Sequence, residues 1–259
     1  MQSFRSRAIR ILFIVVSLII VHCSLCFALR PLYTEVAWTT SINKLVLESG
    51  TLLWTNRDNT GDNEFITSLK YGFARDFDGS LDLPYMSRYS PEGNFDGIAY
   101  GKFKLKYNFY NSLGIEGASF LFGYQVDSEN QSISSDPSAH DITTMLIYSL
   151  EMDPFSLHFN FGYTFDDEPL NQPHNDFILY NTAIVKPITD TFNIMGELQY
   201  TINTYTSTKI AETAIGCNYE FNDSLTFDTA LGCGLNEDSS SSNFSFGLTY
   251  IFNLFGGNE

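Results

Sequence analysis

Cysteines, basic side chains and long apolar runs are all scarce in this chain of 259 residues, and each scarcity narrows the choice of fold. Two of the four cysteines, Cys23 and Cys26, lie near the N-terminus, which leaves Cys217 and Cys233 for the rest of the chain. Two cysteines cannot build the disulfide framework of a small secreted domain. The histidines are scattered and no Cys/His spacing resembles a zinc site, so we expect neither a metal nor a cofactor.

The first 28 residues predict a Sec-type signal peptide, which would be removed from the mature protein. A basic start with three arginines leads into the apolar run 11–21, and Ala28 is the small residue after which we place the cleavage. The run is shorter than the roughly 20 apolar residues of a spanning helix, which argues against a membrane anchor. A lipoprotein cleaved at Cys23 is the lesser alternative, because His22 is not the small residue that such a site needs.

Cleavage would make an already acidic chain more acidic. The whole sequence has 14 Lys and Arg against 30 Asp and Glu, which gives a net charge of −16. Loss of the three N-terminal arginines would shift that net charge to −19. Affinity for nucleic acid depends on Lys and Arg that neutralise phosphates, so we expect no nucleic-acid partner.

Many segments after residue 43 alternate large apolar side chains with small or polar ones. The clearest is the last, whose large side chains form the predicted C-terminal barrel signature: Phe244, Phe246, Leu248, Tyr250 and Phe252. Alternate side chains of a strand point to opposite faces of its sheet. Only helices and closed barrels can span a bilayer, and no long apolar run follows residue 28. The pattern therefore predicts an all-β, transmembrane antiparallel up-and-down β-barrel.

Polar turns and loops divide the alternating segments into about twelve strands, and bacterial outer-membrane barrels have even strand numbers. The short turns are 75–78, 110–112, 152–154, 189–191 and 222–224, and the longer loops are 56–63, 90–96, 127–140, 166–175, 203–207 and 236–242. The predicted strands are 44–55, 64–74, 79–89, 97–109, 114–125, 141–151, 156–165, 176–187, 192–202, 208–221, 225–235 and 243–252.

Loop lengths also predict the orientation of the barrel. Outer-membrane barrels have short periplasmic turns and long outer loops, and the long loops here follow the odd strands. Both termini should therefore be periplasmic. We divide the chain into a cleaved signal peptide (1–28), a periplasmic or luminal segment (29–43), a β-barrel (44–252) and a C-terminal tail (253–259).

A soluble β-sandwich or lipocalin-like barrel would show the same alternation, with its apolar face turned inward. Such a protein should carry Lys and Glu at many outward positions. The less apolar face of this chain is instead rich in Gly, Ala, Ser, Thr and Asn, and its charges are widely spaced. Together with the signal peptide and the aromatic strand ends, this composition favours the membrane barrel.

A row of three lysines, Lys102, Lys104 and Lys106, indicates which face is the lumen, because the side chains between them are apolar. A lysine that faces lipid costs about 2–4 kcal/mol at the bilayer midplane, so the row must face inward. It can line a polar conduit, neutralise luminal acids, or do both. The predicted luminal side chains are Glu48, Asp82, Lys102, Lys104, Lys106, His158, Asn160, Glu197, Glu212 and Asp228.

Ser156, His158 and Asn160 share one strand face, and their side chains are of the types that serve as nucleophile, base and orienting residue in a hydrolase. Alternate residues of a strand lie about 6.6 Å apart along its axis. A nucleophile and its base must come within roughly 2.6–3.2 Å of each other. We therefore expect no catalytic residues in this group.

Two further features have plain explanations. Pairing of the hairpin around its turn places Cys217 beside Thr229 rather than Cys233, which predicts that no disulfide forms. The acidic outer loops match no calcium-binding loop, and we expect them to be solvated edges.

Several motifs, in order along the chain, resemble one family of outer-membrane barrels. They are Arg30-Pro31-Leu32-Tyr33-Thr34-Glu35, Leu47-Glu48-Ser49-Gly50, Leu83-Pro84-Tyr85 and the stretches 157–165 and 247–252. The family is described as the MetA-pathway of phenol degradation, and its members are often labelled only as transporters. The resemblance spans nearly the whole chain after the signal peptide. It implies passage of small solutes, aromatic ones among them, and no catalytic motif. The chain departs from many barrels by continuing past Phe252.

These observations predict a passive channel or transporter for small solutes, aromatic or hydrophobic ones among them, in the outer membrane of a Gram-negative bacterium, with no covalent chemistry. The alternatives are a structural or adhesive barrel with a filled lumen and, less favoured, an outer-membrane lipid hydrolase. The expected partners are outer-membrane lipid and lipopolysaccharide, the barrel-assembly machinery and a small-molecule solute. Eight strands leave an interior that side chains fill, whereas 16–18 strands leave an aqueous channel. Twelve strands therefore allow a narrow or plugged pore.

Overall fold

The computed structural model describes residues 32–57, 60–90, 93–109, 117–128, 140–166 and 176–254. The elements in these ranges are strands: β1 (Lys44–Thr55), β2 (Gly61–Ala74), β3 (Phe77–Ser90), β4 (Gly93–Ile98), β5 (Tyr100–Asn108), β6 (Ala118–Asp127), β7 (His140–Met152), β8 (Phe155–Asp166), β9 (Phe177–Thr189), β10 (Phe192–Asn203), β11 (Lys209–Asn222), β12 (Leu225–Gly234) and β13 (Ser242–Asn253). Within the described ranges, no helix is long and apolar enough to cross a bilayer.

The strands form a closed antiparallel barrel. β1 pairs with β2 on one side and with β13 on the other, from Lys44 opposite Asn253 to Thr55 opposite Ser242. β4 and β5 both pair with β3, so they are two parts of one strand and the barrel has twelve strands. The prediction of a closed antiparallel barrel with about twelve strands is therefore confirmed.

The predicted strand 97–109 is interrupted at Ala99. The register moves from Tyr85 opposite Ile98 to Asp82 opposite Lys102, which leaves one extra residue on the β4–β5 side. Pro84 lies within this stretch of β3 and has no N–H to donate to a ladder. A bulge at this point is the expected result of a proline inside a paired strand.

Some predicted turns were too long. The sequence predicts a turn over 75–78, but β3 already begins at Phe77. Similarly, the loop predicted over 90–96 is mostly paired, since β4 begins at Gly93. Glycine and aspartate favour turns locally, but cross-strand pairing overrides that preference here. The turn 110–112 and most of the loops 127–140 and 166–175 lie outside the described residues.

Large apolar side chains cover the outside of the barrel. Ile215 on β11 and Leu231 on β12 are 70% and 66% exposed, and the signature residues Phe244, Phe246 and Leu248 also face outward. The inward positions of the same strands carry small, polar or charged side chains, as the alternation predicts. Soluble proteins rarely expose a continuous apolar surface of this extent, whereas lipid solvates it.

Both described cysteines are unpaired and belong to the outward face. Cys217 lies opposite Thr229 across the β11–β12 hairpin, as the sequence predicts, and Cys233 is exposed. We expect the intact mass of the purified protein to be unchanged by a reducing agent. A gain of a pair of hydrogens on reduction would contradict the free thiols.

Candidate functional site in the barrel lumen

Residues 32–43, here called the luminal segment, lie inside the barrel. At one end, the N–H groups of Tyr33 and Thr34 donate to the Glu197 carboxylate on β10, at 3.2 and 2.6 Å. Towards the other end, the Thr40 N–H donates to Asp78 on β3 at 2.6 Å. β3 and β10 stand on opposite sides of the twelve-stranded ring. The segment therefore crosses the lumen from wall to wall.

Asn160 on β8 holds the backbone of Glu35 through both ends of its side-chain amide. The Glu35 N–H donates to Asn160 Oδ1 at 2.7 Å, and Asn160 Nδ2 donates to the Glu35 carbonyl at 2.8 Å. An irregular segment has no ladder partners, so its buried backbone groups need side-chain partners instead. Asn160 supplies a donor and an acceptor at once.

The Glu35 carboxylate lies between two lysines of β5. Lys104 Nζ is 3.1 Å from Glu35 Oε1 and 3.0 Å from Asp82 Oδ2, while Lys106 Nζ is 3.8 Å from Glu35 Oε2. Burial alone would raise the pKa of the Glu35 carboxyl, but the positive charges of Lys104 and Lys106 outweigh it and hold that pKa below its usual range. Buried charges need such partners. Lys106 also donates to the carbonyl of Val36 at 3.1 Å.

Ala37 is the most tightly enclosed residue of the luminal segment. Its N–H donates to Ser149 Oγ at 3.0 Å, and its carbonyl accepts from Asn108 Nδ2 at 2.9 Å and from the Ser119 hydroxyl. Its methyl group has no exposed surface and packs in a cluster with Leu121, Met145 and Ile147. Only a small side chain fits this position.

Ser149 also contacts a histidine. His158 Nδ1 on β8 lies 2.8 Å from Ser149 Oγ on β7, and the ring of Trp38 stands edge-on to His158 at a centroid distance of 5.8 Å. This serine–histidine contact joins two neighbouring strands, β7 and β8. The sequence pattern instead grouped His158 with Ser156, which lies on the same strand. Ser149 and His158 are 1% and 2% exposed and lie against the luminal segment, so no substrate reaches them in this arrangement.

The luminal segment enters β1 through a tight turn. Asn43 has a left-handed backbone conformation (φ 63°), and its N–H donates to the carbonyl of Gly72 at 2.9 Å. A Cβ on Gly72 would collide with the carbonyl oxygens of Thr40 and Ser41. Glycine at position 72 is therefore required for the segment to pass so close to β2.

A cavity of about 320 Å³ remains beside the luminal segment. Tyr33, Glu35 and Val36 of the segment form one side of it, and wall side chains from β1, β2, β3 and β5 form much of the rest. Its charged lining side chains are Glu35, Glu48, Glu64, Lys70, Asp82, Lys102, Lys104 and Asp228. The space is therefore polar and large enough for a small solute.

The structure brings only some of the predicted luminal residues together. Lys104, Lys106, Asp82, Asn160 and Glu197 meet around the luminal segment. His158 is placed against Trp38, as described above.

The other predicted luminal residues are spread over the wall. Lys102 Nζ is 3.5 Å from Thr143 Oγ1, Glu212 accepts from Ser240, and Glu48 pairs with Lys70. Asp228 is 1% exposed and lines the cavity.

Sequence reasoning missed Glu35 of the segment and four wall residues that hold the segment: Asp78, Asn108, Ser119 and Ser149. Asn108, Ser119 and Ser149 occupy inward positions of predicted strands, so the alternation predicts the face on which each lies, whereas Asp78 falls in the predicted turn 75–78. Nothing in the pattern distinguished them from other inward polar residues. Among the described residues, no group of three His, Cys, Asp or Glu side chains is placed to hold a metal ion.

Solved structures with a similar fold are outer-membrane barrels. An outer membrane channel from Pseudomonas putida F1 has a TM-score of 0.61 at 8% identity, over 87% of this chain and 100% of that one. The KdgM porin in complex with disordered oligogalacturonate has a TM-score of 0.57 at 11% identity, over 80% of this chain and 99% of that one. The NanC porin has a TM-score of 0.55 at 9% identity, over 80% and 98%.

No family model matches the chain, and comparison with the curated proteins finds no match. The resemblance to the phenol-degradation family therefore stays a prediction, while the porin-like barrel fold is established by the structural likeness.

Proposed function

We propose that this protein is a channel of the bacterial outer membrane, in which the luminal segment narrows the pore and small solutes pass beside it. The observation that carries the proposal is the cavity of about 320 Å³ inside a closed barrel with an apolar outside and a polar inside. The likeness to channels and porins supports it through the fold. Passage of a solute needs no covalent step, so the proposal requires no catalytic role for Ser149 and His158.

The lining of the cavity favours polar solutes. Lys70, Lys102 and Lys104 line it together with several carboxylates, and a solute can exchange its hydration for these groups. Aromatic solutes, which the family resemblance implies, would have fewer partners there, although the ring of Tyr33 borders the space. The oligogalacturonate of the KdgM complex is a ligand of that porin, and nothing in this cavity singles it out.

We further propose that residues 1–28 are a cleaved Sec signal and that both termini of the barrel are periplasmic. The two-residue turn between β7 and β8 at one end, and the longer connections β10–β11 and β12–β13 at the other, support this orientation. Outer-membrane lipid, lipopolysaccharide and the barrel-assembly machinery are the partners that such a location entails. The apolar exterior would contact the lipid directly.

A barrel with a filled lumen is the second candidate, and the dense bonding of the luminal segment favours it. Five backbone N–H groups of the segment donate to wall side chains: those of Tyr33, Thr34, Glu35, Ala37 and Thr40. If the segment never moves and the remaining cavity does not connect the two ends of the barrel, the protein would serve a structural role.

Single-channel recording distinguishes the two candidates. We expect the refolded mature chain, added to a planar lipid bilayer, to give discrete current steps smaller than those of an open 16-stranded porin. The same preparation after boiling in detergent is the control for contaminating porins. Absence of any current above background at all voltages would refute the channel and favour the filled barrel.

A further inference from the structure

The contacts between the wall and residues 34–37 have the character of peptide recognition. Each of these four residues is held by the wall through its backbone, and two are also held through their side chains. At Thr34 the Glu197 carboxylate accepts from both the N–H, at 2.6 Å, and the hydroxyl. Burial of an irregular segment already requires partners for its backbone groups, but the wall also binds the side chains of Thr34 and Glu35, which that requirement does not explain.

At the second residue the wall selects a carboxylate. Asn160 pairs with both backbone groups of Glu35, which fixes the position of the residue whatever its side chain is. Lys104 at 3.1 Å and Lys106 at 3.8 Å then bind the carboxylate itself. Bonds to charged groups contribute more to affinity than neutral ones.

At Val36 and Ala37 the wall binds the backbone, and at Ala37 it also limits the size of the side chain. Lys106 donates to the carbonyl of Val36 at 3.1 Å. Ser149 and Asn108 bind the N–H and the carbonyl of Ala37 at 3.0 and 2.9 Å, and its methyl group has no exposed surface. The wall therefore favours a hydroxyl residue at position 34, an acidic residue at position 35 and a small residue at position 37, and it accepts any residue at position 36.

We propose that this stretch of the inner wall is a binding site for short acidic peptides, and that the luminal segment is its tethered occupant. The proposal deepens the channel function by naming a solute class, and it rests on that function in so far as a free peptide must be able to enter the lumen. A tethered occupant competes at an effective concentration in the millimolar range. A free peptide therefore binds well only when the segment has left the wall.

The test is a calorimetric titration of the refolded, full-length mature chain in detergent. Calorimetry measures peptide binding whether or not the barrel conducts. The probes are acetyl-Thr-Glu-Val-Ala-amide and the same peptide with Gln in place of Glu. The protein carries Glu35→Gln and Ala37→Leu, which weaken the segment and leave every wall residue intact. We expect the Glu peptide to bind at least about tenfold more tightly than the Gln peptide, because only the former offers a carboxylate to the lysines.

Wall variants test the assignment of the site. Asn160→Ala, added to the weakened chain, should reduce affinity for the Glu peptide by about tenfold or more. Asn218→Ala is the matched control, because Asn218 is also a buried inward asparagine but is bound by Asn193 rather than by the segment. It should leave peptide affinity unchanged.

Equal binding of the two peptides, or no binding of either, would overturn the peptide site. If Ala37→Leu prevents refolding, the chain with Glu35→Gln and Thr40→Pro is used instead. Proline at position 40 removes the N–H that donates to Asp78, and it adds no volume against the wall. Peptide binding without current would refute the channel alone, whereas current without peptide binding would refute the peptide site alone.

Discussion

Release of the luminal segment should open the pore: the Glu35→Gln, Ala37→Leu chain is expected to show a single-channel conductance several-fold above that of the wild type. Leucine at position 37 overfills a site without exposed surface, which costs about 1–3 kcal/mol. Glu35→Gln loses the ion pairs with Lys104 and Lys106 and leaves only weaker hydrogen bonds to a neutral amide oxygen, a difference of about 1–2 kcal/mol. Every 1.4 kcal/mol is about tenfold in the ratio of released to bound segment.

The controls repeat the same chemical changes away from the lumen. Glu237→Gln alters an exposed carboxylate in the loop between β12 and β13, and Ala211→Leu enlarges an outward side chain on β11. Both should conduct as the wild type does. A conductance of the Glu35→Gln, Ala37→Leu chain that equals the wild type, from a barrel that has refolded, would show that the segment does not limit the pore.

Stability should fall steeply when a charge is placed on the outer face. Ile215 lies in the middle of β11 and is 70% exposed, which in a bilayer means exposed to hydrocarbon. Ile215→Lys is expected to lower the free energy of unfolding by about 2–4 kcal/mol, because a lipid-facing lysine at the midplane costs that much. Denaturant titration of the barrel refolded in lipid vesicles measures the change.

Position 205 provides the control for this measurement. Tyr205 is 62% exposed in the turn between β10 and β11, beyond the strand ends. Tyr205→Lys should change the free energy of unfolding by no more than about 1 kcal/mol, since the cost of a charge vanishes towards the interface. Equal stability of the two lysine variants would favour a soluble barrel whose outer face meets water.

The strands were predictable because the signal that defines them is local. Side chains alternate with a period of two, and lipid outside and water inside make the two faces chemically different. The segment 44–55 was predicted with the bounds of β1, and the pairing of Cys217 with Thr229 followed from turn position alone. Predictions failed where local preference and pairing disagree, as at Phe77 and around Ala99.

Contacts inside the lumen, unlike the strands, were not predictable from local sequence. The alternation predicts that Lys104 and Asn160 face inward, but it does not say which group each one meets. Their partner Glu35 lies in a segment without periodicity, 125 residues away from Asn160 in sequence. A contact of that kind depends on which strands stand opposite each other in the closed ring, and no local pattern encodes it.

By itself, the sequence determined the class of fold, the number of strands and the face on which each side chain lies. These follow from a repeat of two residues and from the cost of placing charge in lipid. Only the tertiary structure decided that residues 32–43 cross the lumen, that Glu35 lies between Lys104 and Lys106, and that Ala37 fills a closed site. Those contacts exist because closing the barrel brings β3, β5, β8 and β10 around one irregular segment whose backbone groups must find partners inside.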